Sequence, residues 1–201
     1  MCDGKVKTWG LINSIRDTDS NPLLPSAYSF PLEVTPDQKR LAEKEIAALV
    51  RASGVKYGSF NIEMIIDGNG RLFFLDAGPR NGGNMLPDYI SLICGGDIVE
   101  ATVLMSVGEK PSEAIELPIE ASQCWGLAVL HSPKTVLFDH LEYTGELKEC
   151  IVREEVFAKA GDIVEGFETC TGAFGFVFLE FKNEAQKQAI MNHLNDHITI
   201  V

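Results

Sequence analysis

The stretch from Gly58 to Gly83, GSFNIEMIIDGNGRLFFLDAGPRNGG, constrains this chain more than any other. Two runs rich in apolar residues flank Asp67-Gly68-Asn69-Gly70, and a turn signal between such runs predicts a β-hairpin. Each arm carries one carboxylate, Glu63 and Asp76, among apolar neighbours. Whether the loop has two or four residues, Ile66 faces Arg71, so Asn61 lies opposite Asp76 and Glu63 opposite Phe74. Side chains on one face of a strand recur every second residue, so Asn61, Glu63 and Asp76 share a face. In that register Glu63 and Asp76 are diagonal neighbours, roughly 7–8 Å or less apart at Cβ. Two carboxylates that close repel unless a cation or a proton sits between them.

The second arm runs straight into Pro79-Arg80-Asn81-Gly82-Gly83. A guanidinium and several unhindered backbone N–H groups then stand beside the acid pair, a constellation for a polyanion held by a metal ion. Oxygen ligands next to an arginine suit Mg²⁺ bridging phosphate oxygens. The plainer alternative is a hairpin with a wet polar edge, since strand carboxylates are usually solvated. The strand ending, rather than the acids alone, favours the metal.

At these residues the segment resembles the C-terminal half of the ATP-grasp fold, in which a strand bearing Glu precedes a strand ending close to E-x-N-x-R-x-G-G. The matching residues here are Glu63 and then Asp76-Ala77-Gly78-Pro79-Arg80-Asn81-Gly82-Gly83. In that family two acids and the Asn hold two Mg²⁺ ions on the phosphates of ATP. The resemblance thus implies Glu63 and Asp76 as metal ligands and Arg80 as the catalytic clamp on the phosphate or acyl-phosphate intermediate. It also implies Gly82, Gly83 and Asn84 as the lining of the substrate site. Two departures stand out: Asp76 where Glu is usual, and Gly78 where the metal-binding Asn is usual. Asp76 can ligate on a shorter arm. Gly78 has no side chain to offer, which leaves the second metal position open, with Asn61 or Asn81 as candidates to supply it.

The chain has 201 residues, enough for one large or two small domains. Thr35-Pro36-Asp37-Gln38 predicts a helix start, and Leu41, Ala42, Ile46, Leu49 and Val50 give that helix an apolar face up to Gly54. Val6 to Ile12 reads as a strand after a turn at Cys2 to Lys5, and residues 13–34 read as an excursion or loop. Leu86 to Cys94 and Asp97 to Val107 read as two helical segments parted by Gly95-Gly96, the second opening on Asp97-x-x-Glu100. Residues 111–121 form the linker candidate, between an ATP-grasp-like part at 1–110 and a small α+β part at 122–201. The second part carries short β-like runs at Gln123 to Leu130, Thr135 to Leu137, Lys148 to Phe157 and Ala173 to Phe181, then a helix capped by Asn183. Phe174, Phe176 and Phe178 are expected in its core. Residues 156–164 resemble, by pattern and order, the small β-rich C-terminal subdomain of biotin-carboxylase-like and amino-acid-ligase-like ATP-grasp enzymes. The expected fold class is therefore α+β: an antiparallel sheet with helices, plus a small β-rich C-terminal subdomain.

A net charge of −12 argues against nucleic acid and anionic membranes as partners. No apolar run is long enough to span a bilayer and no signal-peptide pattern is present, so the expected location is the cytoplasm. The five cysteines are isolated and odd in number, which fits reduced thiols better than a zinc site or a disulfide framework. The chain shows no Gly-rich nucleotide lid and no lysine-bearing strands upstream of the hairpin. It is thus expected to be the C-terminal piece of a longer ligase, inactive alone, its partner being the missing N-terminal half. The parent would use ATP and Mg²⁺ to join a small carboxylic acid or amino acid to an amine through an acyl phosphate. Peptide-like ligases, carbamoyl-phosphate synthetase, biotin carboxylase and phosphoribosylamine–glycine ligase are the relatives to consider, and the wording after Arg80 sits nearer the amino-acid ligases. The alternative is a degenerate, non-catalytic ATP-grasp-like module that binds a small acid or a partner protein. Gly78 favours this second reading and the set Glu63, Asp76 and Arg80 the first. A homodimer is expected too, through an uncovered surface at Trp9, Leu11, Ile12, Phe60, Ile62 and Met64.

Overall fold

The computed structural model describes residues 1–7, 9–110 and 123–201. The linker expected at 111–121 lies outside the described residues. The chain divides into two compact units, Met1–Gly10 with Glu33–Glu120 and Leu11–Leu32 with Ala121–Val201. Residues 11–32, read from sequence as part of the first domain, therefore belong to the second.

The first unit contains the helix α1 (Pro36–Ser53), the hairpin β3 (Asn61–Ile66) and β4 (Leu72–Gly78), and the helices α2 (Leu86–Cys94) and α3 (Ile98–Ser106). Thr35 and Gln38 form the reciprocal capping box that their spacing implies, and Gly54 ends α1 in the left-handed conformation at φ 70. Ala42, Ile46 and Val50 bury the apolar stripe of α1. Asp97 caps α3 by accepting from the Glu100 N–H, and the axes of α2 and α3 bend by 111° across the Gly95-Gly96 break. The strand expected over Val6 to Ile12 does not form among the described residues. A single bridge joins Cys2 to Lys5 around Asp3 and Gly4, both at positive φ. A run of that length holds as a strand only with a neighbour to pair with.

The second unit is an antiparallel five-stranded sheet in the order β1 (Asn13–Ile15), β2 (Ala27–Phe30), β5 (Cys124–Leu130), β10 (Gly175–Phe181) and β8 (Ile151–Val156). β1 and β2 come from the segment that punctuation alone reads as a loop. They are strands because they pair through β2 with β5, from Ala27 opposite Ala128 to Phe30 opposite Trp125. β10 is buried on both faces. Val177, Leu179 and Phe181 join the core with Ile190 and Met191 of α5 (Glu184–Met191), and Phe174, Phe176 and Phe178 are buried as expected. Short ladders pair β6 (Val136–Leu137) with β9 (Ile163–Val164), and β7 (Leu141–Tyr143) with β11 (Ile198–Ile200). The run read as one strand from Lys148 begins with a helical turn, α4 (Gly145–Lys148), because Thr144 caps it at the Leu147 N–H. The fold is α+β, with antiparallel sheets throughout. No single helix among the described residues is long and apolar enough to cross a membrane.

Candidate functional site

The hairpin turn differs from expectation, and the difference moves the acids. Asp67 N–H donates to the Arg71 carbonyl at 2.9 Å, and Gly70 N–H donates to the Asp67 carbonyl at 2.9 Å. Gly70 adopts φ 77, which makes it the left-handed residue that ends a three-residue hairpin loop. The Asp67 carboxylate accepts from the Arg71 N–H and the Asn69 N–H and pairs with the Arg71 guanidinium, and these hydrogen bonds, those of Arg71 first, hold its carboxyl below the ordinary range. Pairing then starts at Ile66 opposite Leu72, one residue later than the two- or four-residue loop requires. A bulge between Met64 and Glu63 skips Leu75 and shifts the ladder again. Glu63 lies directly opposite Asp76, and Asn61 opposite Gly78. The register with Asn61 opposite Asp76 and Glu63 opposite Phe74 is thereby corrected. Directly opposed residues have Cβ atoms only about 4.5–5.5 Å apart.

Both carboxylates are exposed, and among the described residues neither has an ion-pair or hydrogen-bond partner. The surface around them is apolar: Ile65, Phe73 and Leu75 are 49%, 47% and 60% exposed, with the Arg71 guanidinium over the Phe73 ring. The uncovered apolar side of the hairpin is thus the acid side. Phe60, Ile62 and Met64, expected to be uncovered, are half-buried, as are Trp9, Leu11 and Ile12.

Beyond β4 the chain turns sharply. Arg80 N–H donates to the Gly78 carbonyl at 2.8 Å, and Arg80 Nη1 donates to the Asn81 carbonyl at 2.9 Å. The arginine stem folds back over Gly78, its Cγ and Nε 3.5 Å from where a Cβ of residue 78 would stand. Asn81 Nδ2 donates to Thr102 Oγ1 at 3.0 Å; that hydroxyl lies 3.0 Å from Ser59 Oγ and 2.8 Å from the Ile98 carbonyl. Asn81 is therefore engaged by α3, and the sequence held no signal for this, since Thr102 and Ser59 belong to no motif. Gly82 is a close approach: a Cβ there would stand 2.7 Å from Leu86 Cδ1 and 2.9 Å from Asn61 Oδ1. Gly83 has open space on its side-chain face and accepts from the Leu86 N–H at 3.0 Å. Asn84 and Met85 follow at φ 53 each, an uncommon pair of left-handed non-glycine residues leading directly into α2.

The structure brings Glu63, Asp76, Gly78 and Arg80 together at one end of the hairpin, and sets Gly82, Gly83 and Asn84 in the turn that follows. The donor set suits a hard divalent cation, which takes oxygen ligands and keeps several waters. It supplies two carboxylates. Among the described residues no group of three His, Cys, Asp or Glu side chains converges on a metal position.

No protein-family model matches the chain. Solved structures do. The L-amino acid ligase from Bacillus licheniformis matches at TM-score 0.74 and 18% identity over 90% of this chain and 45% of that one. Phosphoribosylglycinamide synthetase from Anaerococcus prevotii matches at TM-score 0.71 and 16% identity over 94% and 47%. The biotin carboxylase domain of the 2-oxoglutarate carboxylase from Hydrogenobacter thermophilus, solved with MgADP, ADP and bicarbonate, matches at TM-score 0.65 and 16% identity over 90% and 40%. All are ATP-grasp ligases. In sequence, carnosine synthase 1 from Gallus gallus is 30% identical over 88 residues, 44% of this chain and 9% of that protein. The chain thus spans under half the length of these solved structures and a small part of the curated relative.

Proposed function

We propose that this chain, which carries the ATP-grasp fold of those structures, is part of an ATP- and Mg²⁺-dependent ligase that joins a carboxylate to an amine. The observation that carries the reading is the directly opposed, unpaired pair Glu63 and Asp76, with Arg80 at the strand end beside it. Glu63 and Asp76 would hold the metal ion. The chemistry supplied by Mg²⁺ held there would be positive charge that offsets the charge of the phosphates. Arg80 would place its fixed charge where negative charge develops as a substrate carboxylate oxygen attacks the γ-phosphorus and ADP leaves. The acyl phosphate so formed would react with an amine at its carbonyl carbon, releasing phosphate and the amine proton. The turn at Gly82 and Gly83, with Asn84, would receive the acid, since Gly83 leaves its side-chain face open to close approach. An amino acid is the preferred acid, given the names of the L-amino acid ligase and the carnosine synthase.

The test uses the protein that contains this chain, supplied with ATP, Mg²⁺, amines and amino acids labelled with ¹⁸O in the carboxylate. One labelled oxygen should appear in inorganic phosphate per turnover. Product formed with unlabelled phosphate would reject the acyl-phosphate route.

A further inference from the structure

Resting on that ligase reading, we propose that the site takes one divalent cation rather than two, with the Arg80 guanidinium standing where a second would sit. Two oxygen-donor side chains oppose each other at Glu63 and Asp76, which is enough to seat one ion that keeps its remaining ligands as water or phosphate. A second ion needs a donor one rung further from the turn on the same face, where the facing residues are Asn61 and Gly78. Gly78 has none. Asn61 turns its amide oxygen toward the Gly82 turn, 2.9 Å from the Cβ position of that residue. Asn81 is held by Thr102 at 3.0 Å. Arg80 lies alongside that position: its Cγ and Nε are 3.5 Å and its Cζ 3.7 Å from where a Cβ of residue 78 would stand, ordinary contact distance.

One exposed hydrogen bond orients the guanidinium there. Its Nη1 donates to the Asn81 carbonyl at 2.9 Å, and the Asn81 side chain is fixed to α3. A fixed positive charge at this place repels a second dication and itself faces the polyanion, doing with planar donors what a second metal would do with a point charge. Glycine at 78 and arginine at 80 then act together: the glycine withholds a donor and the arginine beside it supplies positive charge.

The test is a Mn²⁺ titration of this chain followed by electron paramagnetic resonance, which counts bound ions and shows whether two are exchange-coupled. The wild type should bind one ion per chain with an uncoupled spectrum, and Glu63→Gln should weaken that binding at least tenfold. The double variant Gly78→Asp with Arg80→Ala should gain a second ion and a coupled spectrum, as for metal pairs about 3.5–4 Å apart. Two ions on the wild type would overturn the one-cation site while leaving the ligase reading standing. No ion on the wild type even at about 20 mM Mn²⁺, well above the roughly millimolar affinity expected of the chain alone, would overturn both. A double variant that folds and still binds one ion would show that Arg80 does not exclude the second. The wild-type count decides the proposal even where the double variant does not fold.

Discussion

Arg80 is exposed, its backbone N–H donating to the Gly78 carbonyl and its guanidinium to the Asn81 carbonyl, so its charge is aimed without being buried. In the protein containing this chain, Arg80→Ala should lower kcat about 10²–10³-fold while changing the KM for ATP far less, because its charge acts where charge develops. Arg80→Lys should restore only part of the rate, since an ammonium cannot make the two-pronged contact of a guanidinium. Steady-state kinetics on both variants checks this, and unchanged turnover in Arg80→Ala would make the residue structural. Asp17, in the loop between β1 and β2, shows the opposite design. Its side chain is 10% exposed and its Oδ2 accepts from His131 Nε2 at 3.0 Å, Ser20 Oγ at 2.7 Å and Asn195 Nδ2 at 3.0 Å. Burial pushes its carboxyl up, but these hydrogen bonds and that of the Asp19 N–H outweigh it and bring the pKa down from 3.8 to about 2. A carboxyl lowered in the folded state adds stability above its unfolded pKa, and this is lost as the pH falls through the folded value. Asp17→Asn should therefore cost about 1.5–3 kcal/mol at neutral pH, a cost that shrinks between about pH 4 and pH 2. Urea unfolding across that range measures it; a cost independent of pH would refute the clasp.

The hairpin β3–β4 sets two like charges on one rung of its ladder. Like charges directly opposite each other destabilise a ladder by about 0.2–1 kcal/mol. Glu63→Gln should thus raise the stability of the metal-free chain by that amount. Mg²⁺ at tenfold its Kd should stabilise the wild type by about 1.4 kcal/mol and the variant hardly at all. Thermal melts with and without Mg²⁺ read both effects, and a less stable metal-free variant would remove the repulsion from the account. The hairpin, its two acids and the Arg-Asn-Gly-Gly ending were legible in sequence because turn residues and alternation act locally. The register was not, because Gly70 and the skipped Leu75 each move the pairing by one, and a bulge leaves no mark in composition. β1 and β2 were missed for the same kind of reason: Ala27–Phe30 is four buried residues whose strand character comes from β5, nearly a hundred positions away. Helix α1 was readable end to end, since its capping box and its left-handed glycine are written within the helix itself.

At the scale of the whole molecule, a chain with net charge −12 would need cations to hold the polyphosphate of the proposed reaction. Exposed apolar residues line the acid side of the hairpin, and Val99 and Val103 of α3 with its C-cap Val107 are exposed as well. Surfaces of this kind are usually covered by another chain or by a ligand. We expect self-association, a symmetric dimer being the commonest closed form. Light scattering on a sizing column should then give twice 22.0 kDa, and a single species at 22.0 kDa across a wide concentration range would exclude it. The central claim is that Glu63 and Asp76 form a metal site completed by phosphate oxygens, and a calorimetric titration of Mn²⁺ with and without a non-hydrolysable ATP analogue tests it most directly. Without the analogue the affinity should be no better than about millimolar, roughly 4 kcal/mol; with it, binding should tighten, and the gain should vanish in Glu63→Gln. Tight binding by the chain alone, or a gain that survives loss of the carboxylate, would contradict it.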